Sequence, residues 1–296
     1  MDRNEAPPAY EVAVVGHRGF LGSAITQEFA ANDVRVVGFG MDSPALRHGV
    51  LDPAISEGGV RTVVWCAARI NPRLAQTEPE LVERDAADLQ AFIAAAASLS
   101  RPPRIILLSS GGTVYGPPAQ PPYAESDEPA PVNAYGEAKL AHERIALDGG
   151  IDATVLRVSN AYGPGQRPAP GQGVLAHWMT SVRDGVPVRV FGDPAATRDY
   201  VFVNDIARAV QAVHRAEVAP PVVNIGSGKA TTLGELLDAL RVAIAPATVV
   251  EEHEPARDTD TSHSVLDISL ARTALGWEPR TSLHDGVRAM WDWFAS

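Results

Sequence analysis

The chain has 296 residues, 45% hydrophobic and 21% charged, enough for a sizeable core that needs neither a disulfide nor a metal. A formal net charge of −11 disfavours nucleic acid and anionic membranes as main partners, and the single cysteine, Cys66, cannot form a disulfide within the chain. No stretch approaches the roughly eighteen apolar residues of a membrane span, and the polar start MDRNEAPPAY lacks a signal peptide's apolar segment, so a soluble cytoplasmic protein is expected.

YEVAVVG (10–16) is a valine-rich run closing on glycine, as a buried parallel strand does. GHRGFLG then sets Gly16, Gly19 and Gly22 between that strand and a helix on which Ile25 and Phe29 share a face. In such a turn the first glycine permits the bend. The second admits a pyrophosphate to the backbone, and the third lets helix pack on strand. Gly16, Arg18, Gly19, Phe20, Leu21 and Gly22 are therefore cofactor-binding candidates.

VRVVGFG, a second strand, ends with Gly40 where an NAD site keeps an acid for the ribose hydroxyls. Asp42 follows two residues later, and Arg18 is placed to meet a 2′-phosphate. The cofactor is thus NAD or NADP, with NADP(H) favoured. VRTVVWCAA is a third buried strand, ELVERDAADLQAFIAAAASL a long helix, RIILLSS a strand and YGEAKLAHERIAL a helix. ATVLRVSNAYG is a strand running into a loop. Strand alternating with helix implies right-handed crossovers and an α/β fold, a Rossmann-type doubly wound parallel sheet.

Beyond Pro164, GPGQRPAPGQG is irregular. GVLAHWMTSVRDG reads as helix, VPVRVFGD as strand, VFVNDIARAVQAVHRA as helix and VVNIGSG as strand. TTLGELLDALRVAI, ISLARTALGW and SLHDGVRAMWDWFA read as helices. Residues 1–163 form the expected NAD(P)-binding domain. Residues 164–296 form a smaller, interleaved α/β substrate-binding part, with some segments, about 186–213, returning to the first.

SSGGTVYG (109–116) and AYGEAK (134–139) carry the candidate chemistry. Tyr135 and Lys139, four apart, share one helix face. A free phenol, with a pKa near ~10, is no base at neutral pH, but a neighbouring ammonium and an oxidised nicotinamide favour its phenolate. Tyr135 can then take a proton from a sugar hydroxyl as hydride leaves, or return it.

These motifs resemble the extended short-chain dehydrogenase/reductase superfamily. NAYGPGQRP, GDPAATRDYVFVNDIA, VVNIGSG and ARTALGWEP extend the resemblance, over 12–279, to its nucleotide-sugar epimerase/dehydratase family, UDP-glucose 4-epimerase-like. The resemblance implies that Asp52 holds the adenine amino group and that Ala67, Ala68 and Ser109 line the cofactor, with Tyr135 and Lys139 also touching it. It implies that Asn160, Arg198 and Arg257 hold a nucleotide diphosphate, a task that suits planar guanidinium forks. Other readings stay open: Arg198 paired with Asp199 or Asp205, and Asn160 or Asp52 as plain turn residues.

The family's catalytic serine or threonine falls on Gly111, which has no hydroxyl, so Thr113, or else Ser110, must supply the donor. The Asp-Glu pair of sugar dehydratases falls on Gly112 and Thr113, so dehydration is not expected. Cys66 reads as a packing residue and, with His177, gives no support for C3/C5 epimerisation. The resemblance implies reversible hydride transfer at C4 of a nucleotide-diphosphate hexose, first as a 4-epimerase. An NADPH-dependent 4-keto-(6-deoxy)hexose 4-ketoreductase is the alternative, and a non-catalytic dinucleotide-sensing protein a third reading. It also implies a homodimer built from DAADLQAFIAAAASL and AYGEAKLAHERIAL as a four-helix bundle.

Overall fold

All four residues of the first strand, β1 (Val12–Val15), are buried, because helices cover both faces of its sheet. The fold comes from a computed structural model that describes residues 10–117, 119–255 and 263–296. The other strands of the main sheet are β2 (Val36–Phe39), β3 (Thr62–Trp65), β4 (Arg104–Ser110), β5 (Ala153–Val158) and β6 (Val222–Ile225). All pair in parallel, in the order β2-β1-β3-β4-β5-β6. The order reverses at β1, which opens a crevice at the carboxyl ends of β1 and β3, the place where such sheets bind ligands.

The longer helices are α1 (Phe20–Ala31), α2 (Pro79–Ala97), α3 (Ala134–Leu147), α4 (Val174–Arg183), α5 (Val203–Arg215), α6 (Leu233–Ile244) and α7 (Leu283–Ala295). Val12 and Val14 point into a core with Ile25, Phe29, Ile206 and Val210 of α1 and α5. Ala13 and Val15 point the other way, to Leu89, Phe92 and Ile93 of α2 and Ala146 of α3. Each fully buried Phe or Leu adds about 1.5–3 kcal/mol, so the two layers hold the crevice rigidly between them.

A separate core gathers Leu175, Trp178 and Met179 of α4 with Leu236 and Leu240 of α6 and Val287 and Met290 of α7. Within the stretch 186–213, Val188 and Val190 belong to this core, whereas α5 lies on the main sheet. The segment β6, with Ala271 and Trp277, also joins the main sheet's core. The sequence reads as helix from Val201, but Tyr200–Phe202 is a strand paired with Asn160–Tyr162, and α5 starts at Val203. Val201 and Phe202 suit a pleated, buried surface, and strand pairing prevails over the helical pattern. No helix among the described residues is long and apolar enough to cross a membrane.

Candidate active site

The glycine turn is shaped for a backbone-lined ligand. Gly16 has φ +89°, and a Cβ there would come within 2.8 Å of the Ala67 nitrogen. A Cβ at Gly22 would strike the Gly16 carbonyl. Gly19 begins α1 in an extended conformation with no side-chain cap, which leaves the helix's first N–H groups for a ligand. The cradle thus fits a dinucleotide pyrophosphate. Phe20 and Leu21 open the helix; Leu21 packs on the core, and Gly165 lies against Phe20, with a notional Cβ 3.7 Å away. Ala67 and Ala68 follow β3 at the crevice, half-buried and exposed respectively.

Arg18 and Asp42 meet in an ion pair of 2.8 Å at the end of β2, with side chains 70% and 80% exposed. His17, which sequence reasoning passed over, donates from Nδ1 to the Phe39 carbonyl at 2.9 Å, and its ring covers Gly38. The glycines of VVGFG were the available signal, since a Cβ at Gly38 would come within 2.5 Å of that ring. Asp52 caps the short helix Pro53–Ser56, accepting from the Ala54 N–H at 2.9 Å.

Asn133 caps α3 by accepting from the Gly136 N–H at 2.9 Å, which fixes the first turn that carries Tyr135. Gly136 packs directly on the Thr113 carbonyl, where a Cβ would clash, so the first turn of α3 is set against Thr113. Lys139 is only 7% exposed, and its Nζ lies 5.6 Å from the centroid of the Tyr135 ring. Ser110, Thr113 and Gly111 sit at the end of β4 and on the helix Gly111–Val114. Thr113 donates to the Ser110 carbonyl over a long 3.4 Å.

Ser109 is turned elsewhere. Its hydroxyl donates to Glu143 at 2.5 Å, and Glu143 also receives Nε and Nη2 of Arg157 at 3.1 and 2.7 Å. Arg157 continues to the Tyr115 hydroxyl, which donates to Asn224. The hydroxyl is therefore committed to a buried network that ties α3 to β4, β5 and β6. Burial pushes the Cys66 thiol up to about 12, against the opposing Lys139 ammonium, as suits an inert packing residue.

A cavity of about 1290 Å³ opens beside the second core, lined by Asn160, Gln166, His177, Arg198 and Tyr200 among others. Among the described residues, Arg198 donates only to the Thr197 carbonyl, at 2.9 Å. Asp199 instead accepts from Ser227 N–H and Oγ at 2.6 and 2.7 Å, from Gly228 N–H at 3.1 Å and from Ser159 at 3.2 Å. Asp205 accepts from the N–H groups of Arg280 and Thr281 and pairs with Arg208. Neither acid neutralises Arg198.

The Asn160 side chain donates to the Asp199 carbonyl at 3.1 Å, so Asp199 positions both cavity residues, a role that sequence order did not reveal. Its hydroxyl-bearing partners, Ser227 above all, were the signal. His177 is exposed and donates to the Ala169 carbonyl at 2.9 Å. Arg257 lies outside the described residues. Tyr135 and Lys139 do not line this cavity. The Lys139 ammonium acts on Cys66, whose backbone packs on Gly16 of the glycine turn, and Asn160 lies against Gly112, with a notional Cβ 3.8 Å from its Nδ2.

A Rossmann crevice with a side-chain-free pyrophosphate cradle and a paired phenol and ammonium defines a dinucleotide-dependent α/β enzyme. The chain belongs to the NAD dependent epimerase/dehydratase family, whose pattern matches residues 12–226. It is 32% identical to the dTDP-6-deoxy-L-talose 4-dehydrogenase (NAD(P)(+)) of Kitasatospora kifunensis, over 95% of this chain and 94% of the relative. It is 30% identical to the UDP-glucose 4-epimerase of Mycolicibacterium smegmatis, over 95% and 97%. Among solved structures, the Thermus thermophilus UDP-glucose 4-epimerase in complex with NAD is similar, at TM-score 0.83 and 26% identity over 97% of this chain and 99% of that one.

Proposed function

We propose that the chain moves hydride reversibly at C4 of a nucleotide-diphosphate hexose, as a 4-epimerase. The observation that carries this reading is the buried Lys139 ammonium beside the Tyr135 ring, on a helix whose first turn packs against Thr113. Bound NAD supplies the hydride acceptor and donor. Tyr135 holds and moves the O4 proton, Lys139 keeps positive charge beside it, and Thr113 donates to the same oxygen. Asn160, Arg198 and Arg257 hold the diphosphate, so the hexose can present either face while its anchor stays fixed. The named relatives, which act on dTDP- and UDP-sugars, support this substrate class.

Arg18 and Gly40 favour a second reading, a 4-ketoreductase that uses NADPH once and releases it. In that reading Arg18 leaves Asp42 to meet the 2′-phosphate. The exposed faces of α2 and α3 carry Ala87, Ala91, Ala94 and Ala141, small residues that support close approach of a second copy as a homodimer. A cytoplasmic enzyme suits both readings.

Purified protein should carry NAD and interconvert C4 epimers of a nucleotide hexose without net change in the cofactor. Stoichiometric NADPH consumption by a nucleotide 4-keto-sugar, with no epimer formed, would replace the epimerase by the reductase. Light scattering at micromolar concentration should report twice the chain mass.

A further inference from the structure

Behind Tyr135 and Lys139, where α2 faces α3, lie two ionisable side chains that the proposed reaction does not use. The side chains of Asp85 and His142 are 6% and 5% exposed, with His142 Nε2 3.9 Å from Asp85 Oδ2. Neither of these two buried atoms has a hydrogen-bond partner among the described residues, while Asp85 Oδ1 accepts from the Arg69 N–H at 2.9 Å. The 3.9 Å gap is too long for a hydrogen bond, yet a small side-chain rotation closes it. Two helices need no such pair to pack: an apolar pair fills the space without the cost of burying a carboxylate.

His142 stands three residues after Lys139, on the same side of α3. Lys139 is itself buried, with its Nζ 5.6 Å from the centroid of the Tyr135 ring. Burial raises the Asp85 carboxyl, with the Arg69 N–H and the Lys139 ammonium pulling the other way. Burial and then the same ammonium hold His142 down at about 4, so the imidazole is neutral and can donate to Asp85. The groups facing this pair are Lys139 from α3, Arg69 from the loop after β3 and Asp88 from α2. Cys66 faces Lys139 from the end of β3. Arg73, on the helix Pro72–Thr77, is exposed.

We propose that Asp85 is the buried counter-charge of Lys139, held by the Arg69 N–H and the His142 imidazole, and that it keeps the ammonium directed at Tyr135. Asp85 is then a positioning residue that acts through Lys139. Its consequence for turnover rests on the catalytic reading of Tyr135 and Lys139; the charge coupling does not.

Asp85→Asn keeps an oxygen for the Arg69 N–H and removes only the charge. Turnover should fall roughly 10- to 100-fold at little-changed KM, as expected when a reacting group loses its exact placement. The alkaline limb of the pH–rate profile should move to lower pH, a change that a merely structural role would not produce. A wild-type rate and profile in a folded Asp85→Asn enzyme would overturn the proposal.

The coupling is read separately by NMR of the His142 imidazole in Lys139→Met, whose midpoint should rise above about 4 once the ammonium is gone. An unmoved midpoint also overturns the proposal. Unchanged turnover in Tyr135→Phe would remove the catalytic reading, while the His142 midpoint would still decide whether Lys139 and the buried pair are coupled.

Discussion

Gly111 lies hard against Leu266: a Cβ at Gly111 would come within 2.7 Å of Leu266 Cδ1 and 2.9 Å of the Arg157 carbonyl oxygen. The leucine tip can move, but the carbonyl belongs to the buried strand β5 and cannot. Gly111→Ser should therefore cost about 1–3 kcal/mol, read as a lower urea midpoint, and should not raise turnover. The hydroxyl that the resemblance puts at this position has no space here.

The donor must then come from the next turn of chain. Thr113→Val should lower turnover roughly 10- to 100-fold, the cost of leaving one oxygen without a donor in the reacting state. Ser110→Ala should stay near wild type. The reverse ranking in steady-state assays would reassign the donor to Ser110.

Tyr135→Phe removes the proton-carrying oxygen and leaves the ring over which Lys139 sits. Turnover should drop roughly 10²- to 10⁴-fold with bound dinucleotide retained, as judged by absorbance of the released cofactor. Full activity in this variant would refute general acid–base work by the phenol.

The Arg18–Asp42 pair is too exposed to matter for stability, since such pairs contribute about 0–1 kcal/mol. Arg18→Ala should leave the melting temperature unchanged but weaken NADPH relative to NADH by roughly tenfold, the loss of one charged phosphate contact of about 1.4 kcal/mol. Asp42→Ala should leave NADPH binding equal or tighter. Fluorescence titrations with both reduced cofactors measure this directly.

His142 makes acid stability testable. Its folded value, about 4, lies below the ordinary 6.5, so the unfolded chain binds more protons between those pH values. The contribution is present above pH 6.5 and is lost as pH falls towards 4, by about 3 kcal/mol at most. Asp85, raised by burial, works in the opposite sense and recovers stability on acidification. Urea midpoints for His142→Leu should therefore decline less between pH 7 and 4 than those of the wild type.

The sheet was legible because Val12–Val15 and Thr62–Trp65 are continuous apolar runs, and a doubly covered strand has no polar face to confuse the pattern. The glycine turn was legible for a related reason: Gly16 and Gly22 are places where any side chain would collide with backbone. Ser109 shows the limit. Its position at a strand end was plain, but not that its hydroxyl faces Glu143, which depends on the packing of α3. The chain from Glu143 through Arg157 and Tyr115 to Asn224 joins residues remote in sequence, and nothing in their spacing announces it. Asp199 was noted only as a possible neighbour of Arg198, because its true partners come from three other segments, at Ser159, at Ser227 and Gly228, and at Leu266.

That carboxylate ties Ser159, Ser227 and Gly228, and through its own backbone Asn160, into one knot beneath the large cavity. A vessel pinned at its centre can be re-lined at its brim. Substitutions along the outer wall, at Arg189 or Glu252, can re-tailor what the vessel admits without loosening the hold of Asp199 on Asn160.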